Sequence, residues 1–346
     1  MNGAPAAPPP PASRTWTRQA GDTMAGGIWA ETNRGEDAEP LFVHHLPSGQ
    51  GVTGVFDGSG GSGSASAYES KDGTPRTGAW LAARVARVAL ETWFGTSFHA
   101  GAGFETAALE ARLTELLAAL RPATPSRIIG RMHKELPTTL AAVRYSVQAG
   151  QVDCQVLWAG DSRVYQLSPG GGLQALTRDH TEEEDGLVQL IQDPPLTNVI
   201  SASAPFFVQE HRRLLDLPCV LVCATDGFFG YVQTPAHFEH LLLATLRDAA
   251  SMDDWMERLR HDVMGYTTDD ASLGVVVLAC AGFAELKEMF AARTREVERE
   301  YWHTRPRMDA GPPGADDKAG RRWRQKTWDD YRDGYERFMP PVQEER

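Results

Sequence analysis

Two hydrophobic rhythms run along this chain, and each predicts its own elements. GAWLAARVARVALETWF (78–94) sets Trp80, Leu81, Val85, Val88, Ala89 and Trp93 at helical spacing. ETAALEARLTELLAAL (105–120) does the same with Leu109, Leu113, Leu116, Leu117 and Leu120, before a stop near Pro122. Strand signals follow in TTLAAVRYSVQ (138–148), VDCQVLWAG (152–160), SRVYQL and LQALT, joined by short polar turns such as SPGGG. Such a meander of hairpins makes mainly antiparallel sheet. LPCVLVCAT (217–225) and SLGVVVLAC (272–280) are continuously apolar, as strands covered on both faces are. Between them, TPAHFEHLLLATLRD (234–248) and DDWMERLRHDV (253–263) predict helices N-capped by Thr234 and Asp253. AELKEMFAARTREVEREYW (284–302) predicts another helix.

The segments without either rhythm divide the chain. Residues 1–15 are rich in Pro and Ala, and the globular part is expected to begin near Gly26, which sets 1–25 apart as a disordered N-terminus. GSGGSGSASAYESKDGTP (58–75) reads as a polar loop, and 181–210, with its acidic run from Glu182 to Asp185, as a surface insertion with some helix. A main domain then spans 26–282, followed by a helical C-terminal extension over 283–346 with a linker at 304–322. In TWDDYRDGYERFM (327–339), Trp328, Tyr331, Tyr335 and Phe338 make an aromatic stripe that must pack on something. Its own domain is the simpler answer, and another protein the alternative.

Composition narrows the function. The 346 residues are 42% hydrophobic and 23% charged, an ordinary soluble balance. A net charge of −12 argues against a general nucleic-acid binder. No run approaches the roughly 20 apolar residues of a membrane span, and the N-terminus lacks the basic start and apolar stretch of a secretory signal. Cys154, Cys219, Cys223 and Cys280 all lie in strand-like stretches without zinc-site spacing, so reduced, buried thiols and a cytoplasmic location are expected.

Four apolar runs end or begin at an aspartate: GVTGVFDGSGG (51–61), VLWAGDSRVYQL (156–167), VLVCATDGFF (220–229) and TTDDASLGVVVL (267–278). Carboxylates that converge in space repel one another unless a cation offsets them, and an oxygen-only set suits magnesium or manganese. Each piece also has a plainer reading. Asp57-Gly58 and Asp226-Gly227 could be simple turns, Asp161 could pair with Arg163, and Glu36-Asp37 could be a surface charge pair. Of Asp269 and Asp270, Asp269 is expected to point inward.

TNRGEDA, GVFDGSGG, PTTLAAV, AGDSRVY, LTRDHT, CATDGFF and DDASLGVVV resemble, in this order, the successive motifs of the metal-dependent protein phosphatases of type 2C, bacterial members included. The resemblance runs from about Glu31 to Leu278 and rests on all the motifs in register, since no single one is specific. It implies an α+β, four-layer α/β/β/α sandwich of two mainly antiparallel sheets, with the metal site at one end. It also implies hydrolysis of phosphoserine and phosphothreonine in proteins by a water bridging two manganese or magnesium ions, without a phospho-enzyme. Carried over by position, Asp57 bridges the ions, Gly58 ligates through its carbonyl, Asp226 and Asp269 complete one shell, Glu36 holds the other ion, and Asp37 orients a water. Asp161 matches a third, weaker metal site, and Thr138-Thr139 a structural pair at a strand start. The C-terminal extension resembles those of a bacterial branch associated with partner kinases.

The chain departs from the pattern in two places that matter. Ser59 stands where the family often has His or Met, which removes a candidate proton donor. Thr32 stands where a phosphate-binding arginine is expected, and Arg34, two residues on, keeps the same face of an extended segment but lies about 7 Å away. His180, in an Asp-His pair, reads as structural. An active protein phosphatase is the leading reading. A pseudophosphatase or regulatory binding module and a small-molecule phosphatase are the alternatives.

Overall fold

The computed structural model describes residues 13–32, 35–59, 63, 66–69, 73–121, 134–192, 194–306 and 318–341. Strand pairing starts at once. β1 (Ser13–Ala20) lies antiparallel to β2 (Thr23–Ala30), so the domain begins about a dozen residues before the expected boundary at Gly26, which falls inside β2. β1 is an edge strand carrying Arg14 and Arg18, and that polarity hid it.

A five-stranded sheet contains β3 (Ala38–His45) and β4 (Gln50–Phe56). Within the 58–75 stretch, expected to be loop, β5 (Ser66–Glu69) and β6 (Pro75–Thr77) form a small antiparallel ribbon. α1 (Gly78–Ala100) outruns its predicted end, and Val88, expected in its apolar stripe, is half exposed. α2 (Thr106–Ala119) buries Leu109, Leu113 and Leu117 but leaves Leu120 exposed at its C-cap. β7 (Leu140–Gln148) and β8 (Gln151–Ala159) form the expected hairpin, and β9 (Arg163–Ser168) with β10 (Gly172–Ala175) the next. α3 (Gly186–Gln192) is the helix of the surface insertion. β11 (Gln209–Asp216), a polar edge strand beside β8, has no counterpart in the sequence reading.

β12 (Cys219–Ala224) leads into α4 (Asp226–Phe229), then α5 (Pro235–Asp248) and α6 (Met252–Met264). Thr234 caps α5 as expected, but Ser251, not Asp253, caps α6, its hydroxyl accepting the Asp254 amide at 3.2 Å. β13 (Ala271–Leu278) and α7 (Phe283–Val297) follow, and a π turn over Glu298–Trp302 ends that helix. α8 (Lys318–Tyr335) already runs at Lys318, so the linker expected over 304–322 is shorter.

The six-stranded sheet orders β1-β2-β13-β12-β9-β10 and the five-stranded sheet β11-β8-β7-β4-β3, all antiparallel. Two-residue alternation lets β12 serve two cores: Cys219, Leu221 and Cys223 face the other sheet, while Val220, Val222 and Ala224 face helices. α1 and α2 cover the five-stranded sheet, and α4 to α8 cover the six-stranded one. This is the expected four-layer α/β/β/α sandwich. The cysteines are free and buried, and Cys219 and Cys223 share a strand face.

The C-terminal aromatic stripe packs on its own domain. Trp328, Tyr331 and Tyr335 are buried in the core under α5 and β10. Burying each contributes about 1.5–3 kcal/mol, which holds an otherwise polar helix in place.

Candidate metal centre

Acidic residues gather at one end of the sandwich because the sheets deliver strand ends there. β4 is buried nearly throughout and ends at Phe56, immediately before Asp57. The Asp57 carbonyl accepts the Thr139 amide at 2.8 Å and the Thr138 hydroxyl at 2.7 Å. The Thr pair is therefore structural, and what it fixes is the root of Asp57. Gly58 is buried between the Glu36 loop and the start of α1: a Cβ there would lie 2.7 Å from the Glu36 carbonyl oxygen and 2.9 Å from that of Ala79.

Glu36 and Asp37 leave β2's end toward β3. The Thr77 hydroxyl donates to Glu36 Oε1 at 2.6 Å. Asp37 is 1% exposed, and Thr225 Oγ1 donates to its Oδ2 at 3.0 Å. Arg84, reaching up from α1, donates to the carbonyls of Gly35 at 3.1 Å, Glu36 at 3.1 Å and Trp80 at 2.9 Å, and lies 3.9 Å from the Trp80 ring centre. Burial lowers its pKa to about 10, against the raising influence of Glu31, Asp37 and Asp270.

The Asp269-Asp270 pair divides its work. Asp270 is the buried member, its two oxygens accepting the backbone N–H of Thr32 at 2.8 Å and of Glu36 at 2.7 Å. It ties the Glu36 loop to the start of β13. Asp269 is exposed and lines a cleft of about 200 Å³ together with Asp161 and Asp226. Arg163, the partner the alternative reading gave Asp161, forms a buried pair with Asp179 at 2.6 Å. His180 is structural. Its Nδ1 accepts the Gly160 amide at 3.0 Å, Nε2 lies 2.8 Å from Gln209 Oε1, and burial lowers its pKa.

The carboxylates share one electric field. Burial raises the pKa of Asp37 well above its usual value, and the charges of Asp270, Asp226 and Asp269 add to the rise. Asp57 is raised in the same way by burial, then by Asp37, Asp161 and Asp269, and by a hydrogen bond with Asp37. Asp37, Asp57, Asp161, Asp226 and Asp269, from distant loops, thus lie within electrostatic reach of one another. Among the described residues no three His, Cys, Asp or Glu side chains stand ready as a closed ligand set. Their chemistry, an all-oxygen set of carboxylates, fits a hard divalent cation. Arg34, the candidate phosphate ligand, lies outside the described residues.

Thr77, Arg84, Thr225 and Asp179 went unread in the sequence. Each acts on a partner far away in the chain, and only the Thr77 position, ahead of a helical stretch, carried a local signal as an N-cap.

The family model for protein phosphatase 2C matches residues 41–264, more than half of the chain. The chain belongs to the protein phosphatase 2C family. It is accordingly a metal-dependent protein serine/threonine phosphatase, acting on phosphoproteins. Among solved structures it is similar to PppA, a key regulatory component of T6SS in Pseudomonas aeruginosa, with 17% identity over 78% of this chain and 97% of that one, at a TM-score of 0.47. It is also similar to the serine/threonine phosphatase PstP/Ppp of Mycobacterium tuberculosis, with 16% identity over 77% and 98% and a TM-score of 0.47. A PstP catalytic domain in complex with two manganese ions gives 16%, 78% and 98%, at 0.44. No curated protein matches the chain. No helix among the described residues is long and apolar enough to cross a membrane.

Proposed function

We propose that Asp57, Gly58, Glu36, Asp226 and Asp269 hold two manganese or magnesium ions, with Asp161 serving a third, weaker site, and that the protein hydrolyses phosphoserine and phosphothreonine there without a phospho-enzyme. One observation carries this reading: acidic side chains from five separate loops converge, and burial and mutual repulsion push Asp37 and Asp57 strongly toward protonation. A fold tolerates such a cluster when a cation offsets it. Bound divalent cations would lower the pKa of water and neutralise phosphoryl charge.

The chain's own residues supply the rest. Asp57 stands with its backbone clamped by Thr138 and Thr139, so its carboxylate is presented from a fixed root. Asp37, whose Oδ2 accepts the Thr225 hydroxyl, would orient the attacking water. Asp270 and Arg84 grip the Glu36 loop by its amides and its carbonyls respectively. Arg34 is the proposed phosphate ligand on its sequence position, and Arg34→Ala should then raise KM more than it lowers kcat. A phosphorylated protein is the substrate, a cognate kinase a partner, and signalling in the cytoplasm the setting, in keeping with four reduced, buried thiols.

The test is hydrolysis of a phosphothreonine peptide and of p-nitrophenyl phosphate, with manganese and then with chelator, wild type beside Asp57→Asn. Manganese-dependent peptide turnover that the variant loses supports the reading. Turnover of the aryl phosphate alone favours a small-molecule phosphatase. A folded, metal-loaded protein that turns over neither is a regulatory module.

A further inference from the structure

One wall of the acidic cleft is built from α3 and its flanks: Thr181, Gln189, Leu190 and Pro194 face Asp161, Asp226 and Asp269. α3 has only seven residues and buries only Gly186 and Leu187, too little to hold itself. Its hold comes from the C-terminal helix. Asp185 divides its two oxygens between them. Oδ1 accepts the amides of Leu187 at 2.9 Å and Val188 at 3.1 Å and so starts α3. Oδ2 accepts Trp328 Nε1 at 3.0 Å and Arg332 Nη1 at 3.1 Å, both from α8. Gly186 leaves room for this contact, since a Cβ there would lie 3.2 Å from the Trp328 ring. A second tie runs beneath. The Arg163 guanidinium, paired with Asp179, donates to Gln189 Oε1 at 3.0 Å and to the Tyr335 hydroxyl at 3.3 Å, joining α3 and α8 through one cation.

We propose that α8 is a positioning element for substrate: through Asp185 and Arg163 it sets α3 as the wall that receives the residues flanking the phosphorylated side chain. The proposal rests on the phosphatase reading above. An aryl phosphate occupies the carboxylate end of the cleft and has nothing to lay against α3. A phosphopeptide must lie along α3, opposite Tyr231, which is 42% exposed at the cleft. Trp328, Arg332 and Tyr335 are thus positioning residues that act on the substrate through α3.

The double variant Trp328→Phe/Arg332→Met removes both donors to Asp185 Oδ2 and keeps the aromatic stripe buried. α8 stays anchored independently, because the Tyr331 hydroxyl donates to Glu239 Oε2 at 2.6 Å and Glu239 is paired with Arg293. Hydrogen exchange is read at the amides of 187–192 in the full-length chain, with kcat and KM for a phosphothreonine peptide and for p-nitrophenyl phosphate. Exchange there should quicken about tenfold or more while the core strands keep their protection. Peptide KM should rise about tenfold, with aryl phosphate kcat/KM within about twofold of wild type. Unchanged exchange, or kinetics that move equally for both substrates, overturns the proposal. If the wild type turns over neither substrate the phosphatase reading falls, and the exchange comparison still decides whether α8 braces α3.

Discussion

Thr77 donates its hydroxyl to Glu36 Oε1 at 2.6 Å, while the same hydroxyl oxygen accepts the backbone N–H of Trp80 at 3.1 Å. One side chain therefore starts the longest helix and aims a candidate metal ligand. Thr77→Ala should lower stability by about 1 kcal/mol through the lost cap. It should also weaken manganese binding by about 10–100-fold, as loss of a ligand's outer partner does. Thr77→Ser should restore both. Urea unfolding and a manganese titration give the two readings, and a variant that loses the cap energy but keeps full affinity removes Thr77 from the centre.

Asp57 carries a different expectation. Its carboxylate sits among the charges of Asp37, Asp161 and Asp269. Asp57→Asn keeps the shape and removes one of these charges, so the metal-free variant should melt at or above the wild-type temperature. Its turnover should fall beyond the roughly 10–100-fold typical of an outer-shell loss. Thermal melts in chelator, alongside the activity assay, check both halves. A clear drop in metal-free stability would show that Asp57 is held by favourable contacts rather than strained by repulsion.

The aspartates at strand ends were legible because strand periodicity is local: an apolar run that stops at Asp-Gly announces where the carboxylate must emerge, as at Asp57 and Asp226. The antiparallel meander and the buried strands β12 and β13 followed from the same periodicity, whereas the four-layer sandwich came from the resemblance of the motifs to the type 2C phosphatases. What escaped depends on tertiary neighbours. Asp270 rather than Asp269 is buried because amides from residues 32 and 36 reach it, and nothing near position 270 announces them. β1 and β11 are edge strands, and their polar residues erased the signal. Ser251 took the cap of α6 from Asp253 by a shift of two residues, within the ordinary uncertainty of helix ends.

Gly227 read as the second residue of a turn, yet it serves a close approach. A Cβ at this position would lie 2.1 Å from the carbonyl oxygen of Asp270 and 2.8 Å from the Ala271 Cβ. Because the obstacle is backbone, Gly227→Ala must push α4 away from the start of β13. The expected destabilisation is about 1–3 kcal/mol, typical of overpacking. The same shift separates Asp226 from Asp269, so manganese affinity should fall as well. Gly230→Ala, nearby on the same turn but less confined, is the control for general damage, its nearest neighbour being the Asp226 carbonyl oxygen at 2.9 Å. Equal losses in the two variants would leave Gly227 no special role.

Acid should loosen the helical layer at α5 and the π turn. The His240 ring stacks on Trp302 at 3.9 Å, and the His237 ring lies 4.8 Å from the same indole. Burial lowers both histidines to about 4, with His240 and Arg305 adding to the effect at His237, and Arg247, His303 and Arg305 at His240. In the unfolded chain each titrates near 6.5. Above that value both states are neutral and stability is insensitive to these groups. As pH falls from about 6.5 toward 4, the unfolded chain binds protons that the folded one refuses, so stability drops, and below about 4 the loss levels off. Urea midpoints measured from pH 7.5 to 5 should therefore decline. His237→Gln/His240→Gln should give a shallower decline over that range, whatever it does to stability at pH 7.5. Parallel pH profiles for wild type and variant would mean that the proton uptake on unfolding belongs to other groups.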